Sequence, residues 1–141
     1  MGWFGKKKFS EPARKAALAR ACKIITMQIQ VSSGASEVYE KLHTYFALGY
    51  CFGVLQASIE SLTQDNLSET EYATHISEGL GVVFESPEHG QRQYAVSRKY
   101  LEVEEFKAGQ VEGATEYINI LNGKSERPYE LAMFLHNSTI K

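Results

Sequence analysis

Three short stretches hold residue types that could do chemistry. Glu40-Lys41-Leu42-His43 sets a carboxylate and an imidazole three residues apart, on one face of a helix. Carboxylate-bridged di-metal bundles use that spacing, but they require a second such pair and two further inward glutamates. Glu71 and His75 miss the spacing by one residue, and His89 and His136 have no partners at metal-ligand spacing. The expectation is therefore no metal and no cofactor. Gly123-Lys124-Ser125 resembles the end of a phosphate-binding loop, yet Ile118 stands where that loop needs glycine and no strand precedes it. A helix stop explains Asn122-Gly123 better.

Nucleophilic catalysis has little support. Cys51 lies in the apolar run Tyr45–Leu55, where burial raises a thiol pKa and leaves it inert. Cys22 and Cys51 form no CxxC pair, and they read as free thiols of a reducing compartment. No convergent catalytic set is visible, so no catalytic residue is assigned. Gly49 and Gly53 form Gly-x-x-x-Gly, which in water usually admits a second helix backbone at close range. The sharper reading is a flat ligand on that bare face, with Gln56 as its polar contact.

The elements that would position these residues are helical throughout. Ser10-Glu11-Pro12 supplies an N-cap with proline in the first turn. Leu18, Cys22, Ile25 and Ile29 then mark one face of a first helix. Ser36 caps a second, predicted to run to about Leu62, whose middle is apolar on every side. That stretch is too short to cross a bilayer, so it reads as a central core helix. Ser68 to Glu71 is a capping box opening a third helix, with Tyr72, Ile76, Leu80 and Phe84 at i+4 spacing, and Ser86-Pro87-Glu88 stops that helix and can cap the next. A fourth segment carries Tyr94, Tyr100, Leu101, Val103 and Phe106, with Gly109 as an expected break. Val111, Ala114, Ile118 and Leu121 continue it, and a last short helix follows Ser125. The fold class predicted is all-α: one compact bundle of five or six helices over residues 10–141, wrapped around the buried helix at 36–62.

Charge is unevenly spread along the 141 residues. Residues 1–23 carry seven Lys/Arg against Glu11 alone, whereas the remainder carries eight bases and sixteen acids, net −8. The first nine residues form a basic, aromatic tip that lacks the apolar stretch of a secretory signal. Gly2 would suit myristoylation, but Lys6 stands where Ser or Thr is needed. The tip is expected to be flexible, with body contacts beginning near Leu18, because Glu11 and Arg14 project onto the same side of the helix earlier and a buried charge there would be costly. If it binds anything, Trp3, Phe4, Lys6, Lys7 and Lys8 would meet an acidic protein groove or an anionic membrane surface. The acidic body argues against nucleic acid. The function expected is a non-enzymatic, cytoplasmic protein–protein interaction module of the adaptor, regulator or immunity type. A homo-oligomer is compatible with the sequence. The alternative is a small cofactor- or metal-binding helical enzyme using the Gly49/Gly53 face or the Glu40/His43 pair.

Overall fold

Ser10 accepts a hydrogen bond from the Ala13 amide at 3.1 Å and opens the first helix, with Pro12 in its first turn. The computed structural model describes residues 8–35 and 37–137. Among them lie seven helices and no strand: α1 (Glu11–Val31), α2 (Val38–Leu42), α3 (Tyr45–Glu60), α4 (Glu69–Val83), α5 (Pro87–Lys99), α6 (Glu104–Leu121) and α7 (Glu130–Asn137). They form an all-α bundle centred on α3, whose residues from Ala47 to Leu55 are all buried. Tyr45 stands half-exposed at the start of that run, its ring edge-on to Tyr100.

The expected 36–62 helix is two helices. Thr44 turns its hydroxyl back to donate to the Lys41 carbonyl at 2.6 Å, and α3 restarts from Thr44 with extended backbone. Such side-chain bonds compete with the helical ladder, which accounts for the break. The Ser36 cap lies outside the described residues.

Gly109 is not a break either. The interruption falls at Tyr100–Val103, and α6 runs unbroken through Gly109. Glycines instead form the seam between α3 and α6. Gly49 lies against the Phe106 carbonyl, Gly53 against that of Gln110, Gly109 against that of Phe46, and Gly113 against that of Tyr50. Residue numbers rise together along the seam, so the two helices run parallel with two interleaved Gly-x-x-x-Gly faces. Any β-carbon there would overlap a backbone oxygen. The buried side of α6 is therefore Phe106, Gly109, Gly113, Glu116 and Tyr117, while Val111, Ile118 and Leu121 face outward.

Helix α7 is short, and other helices satisfy its ends. Glu116 accepts from the Tyr129 and Glu130 amides at 3.0 and 3.3 Å, and Gln28 accepts from the Ala132 amide at 2.9 Å. At the far end, buried Lys41 donates to the Leu135 carbonyl at 2.7 Å. A carboxylate at the N-terminus and an ammonium at the C-terminus also match the helix dipole. Tyr50 completes the arrangement, donating to Glu116 and accepting from Gln28 at 2.8 Å.

Contact between α1 and the body begins well before Leu18. Arg14 is buried, bridging Glu11 at 3.0 Å and Glu78 of α4 at 3.0 Å. The cost expected for a buried charge is offset by these bonds. Lys8 also reaches α4, pairing with Glu71 at 2.9 Å and donating to the Asn66 carbonyl. Among the described residues no helix is long and apolar enough to cross a membrane.

Candidate functional site

Helix α4 organises the site. Its capping box forms as expected, Ser68 Oγ accepting from the Glu71 amide at 3.1 Å and Glu71 accepting from the Ser68 amide at 2.7 Å. Its inner face carries His75, Ile76, Leu80 and Val83 into the core. Its outer face forms part of the walls of two open grooves. One, of about 740 Å³, lies among α1, α4 and α5 and is lined by Leu18, Ala73, Gly81 and Pro87. The other, of about 540 Å³, is lined by Ile29, Val38, Tyr39, Leu42 and Phe84. Val82 and Glu85 belong to both, so the grooves meet at these two residues.

Both shared residues are unusual for a helix end. Val82 is 52% exposed although it sits between two apolar surfaces. Glu85 has φ +61°, the left-handed conformation that glycine normally supplies. The bonds around it explain the geometry: the Glu85 amide donates to Val82 at 3.3 Å and the Ser86 amide to Gly81 at 2.9 Å. This is a Schellman stop with glutamate at the glycine position. A β-carbon there costs on the order of 1 kcal/mol. Glu85 is exposed and makes no ion pair among the described residues, whereas the other rim acid, Glu78, pairs with Arg14 and Lys15.

From the inner face of α4 runs a buried relay with the outline of a serine–histidine dyad. Ser58 Oγ and His75 Nε2 are 2.7 Å apart, and His75 Nδ1 faces Arg14 Nη1 at 3.3 Å. A guanidinium only donates, so Nδ1 accepts and the imidazole proton sits on Nε2. That proton goes to Ser58, whose own hydroxyl donates to the Leu55 carbonyl at 2.7 Å. The relay thus points donors inward from Arg14, and Nε2 has no lone pair with which to deprotonate Ser58. Burial, reinforced by Arg14, lowers the His75 pKa to about 4 and keeps the ring neutral, with Glu78 and Glu11 partly opposing. Both Ser58 and His75 are fully buried. The arrangement holds α1, α3 and α4 together.

The residues singled out from sequence fall in separate places. Gly49 and Gly53 are covered by the α6 backbone, leaving no room on that face for a flat ligand, and Gln56 accepts from Gln110 at 2.7 Å. Cys22 and Cys51 are free and buried; burial raises their pKa to about 11 and about 12. Trp3, Phe4, Lys6 and Lys7 lie outside the described residues, and Lys8 is engaged by Glu71. Among the described residues no group of three or more His, Cys, Asp or Glu is placed to hold a metal ion. His43 does meet a partner that spacing did not reveal, His89, with the two Nε2 atoms 3.2 Å apart.

Sequence reading missed Val82, Glu85, Arg14 and Ser58. The i+4 series of α4 assigns Phe84 to its inner face and passes over Val82. Only Glu85 carried a signal, as a non-glycine residue directly before the Ser86-Pro87 restart. No family model, curated protein or solved structure matches the chain.

Proposed function

We propose that this protein is a non-enzymatic helical interaction module whose α4 grooves receive a basic amphipathic helix of a partner protein. Glu85 carries the reading. A strained carboxylate with no ion-pair partner among the described residues stands at the junction of two apolar grooves, beside an exposed valine. Strain at a helix stop that glycine would relieve is the kind of feature function retains. The grooves supply apolar contact for one face of a helix, and Glu85 would meet a lysine or arginine. The net −8 of the body would steer such a partner toward the surface. The two free, buried thiols support the view that the protein works in a reducing compartment such as the cytoplasm.

The test is a photo-reactive amino acid placed at Val82 in the producing cell, with Val111 on α6 as the remote exposed control. The expected result is one dominant adduct at Val82, mapped to a lysine- or arginine-rich helical segment. Equal adducts at both positions, or none at Val82, would overturn the reading.

A further inference from the structure

We propose that His43 and His89 form a two-histidine site for a divalent transition-metal ion, zinc foremost. This inference does not rest on the proposed partner, although Tyr39 and Phe84, which pack on the two rings, also line the second groove. The rings come from elements far apart in sequence, His43 at the C-terminal cap of α2 and His89 in the first turn of α5. Their Nε2 atoms face each other at 3.2 Å. Two nitrogens each about 2.0–2.1 Å from a tetrahedral zinc lie a little over 3 Å apart, which matches this separation.

The surroundings orient at least one ligand in the manner metal sites use. His43 Nδ1 faces the Tyr39 carbonyl at 2.9 Å, and a carbonyl only accepts, so the proton belongs on Nδ1. That leaves the Nε2 lone pair of neutral His43 directed away from the carbonyl, the second-shell pattern typical of metal-bound imidazole. Phe84 holds both rings, its centroid 4.9 Å from each, and Tyr39 packs on His43 at 4.6 Å. The His89 backbone is fixed as well, its amide donating to Ser86 Oγ at 3.2 Å. Both imidazoles are only partly buried, so solvent reaches the pair. With two protein ligands, the remaining positions of the ion are open to water. Imidazole suits zinc, nickel and copper, and copper(II) should bind more tightly than zinc.

The test is calorimetric titration of the full chain with zinc chloride at neutral pH in a non-chelating buffer. One saturable equivalent is expected. His43→Gln and His89→Gln should each weaken it at least about tenfold, while His136→Gln, at the exposed end of α7, leaves it unchanged. Thermal melts of each variant establish that it is folded, and either histidine variant suffices if the other is not. With copper(II), electron paramagnetic resonance should report two nitrogen ligands in the wild type and one in a single variant. Absence of saturable binding, or binding unaffected in a folded variant, would overturn the proposal.

Discussion

Gly53 lies so close to the Gln110 carbonyl that a single methyl group there would overlap the oxygen. The obstacle is backbone, not a flexible side chain, so the helices themselves would have to separate. Gly53→Ala should therefore cost about 3 kcal/mol, at the upper end of what overpacking does. Gly34→Ala, with nothing within 4 Å among the described residues, should change stability by no more than about 0.5 kcal/mol. Chemical denaturation of both variants checks this. Equal effects would mean that α3 and α6 are not in close backbone contact.

His75 makes stability depend on pH. Its folded pKa is about 4, lowered first by burial and then by Arg14. The unfolded value is about 6.5, so below that pH the unfolded chain takes up a proton the folded chain refuses. The contribution is complete above the unfolded value and is lost as pH falls toward 4. The loss amounts to at most about 3 kcal/mol. Denaturation midpoints across that window should fall, and His75→Gln should flatten the slope. A slope unchanged by the substitution would place the titration elsewhere.

Much of the fold was legible because the usual signals act locally. The Ser10 and Ser68 caps, the buried Tyr45–Leu55 run apart from its first residues, and the Ser86-Pro87 start all form as their residue types dictate. What was hidden depends on contacts distant in sequence. On α6, Val111, Ile118 and Leu121 suggest one face, yet glycines on another face decide the packing by permitting close approach. Hydrophobic periodicity is blind to a seam made of missing side chains. Arg14 was expected to keep α1 off the body, yet Glu78, 64 residues away, joins Glu11 and His75 in satisfying its buried guanidinium. The His43–His89 pair likewise depends on how α2 and α5 meet.

Glu85 sets stability against binding. Glycine at its left-handed position would relieve strain, so Glu85→Gly should stabilise the fold by about 1 kcal/mol. The same change removes the carboxylate proposed to meet the partner's cation, and partner affinity should fall. Thermal denaturation and binding measured on one preparation check both effects. A variant that is more stable and binds as well as wild type would show that the glutamate serves no partner.

The most direct measurement of the central claim is equilibrium affinity for the segment crosslinked at Val82, compared among wild type, Val82→Arg and Val111→Arg. Both valines are more than half exposed, so neither arginine should lower the melting temperature appreciably. A cation beside the apolar junction would repel a basic partner and block its apolar face. The account predicts that Val82→Arg loses at least about 2 kcal/mol of binding, more than tenfold in affinity, and that Val111→Arg binds as wild type. Equal affinity of Val82→Arg and wild type would contradict it.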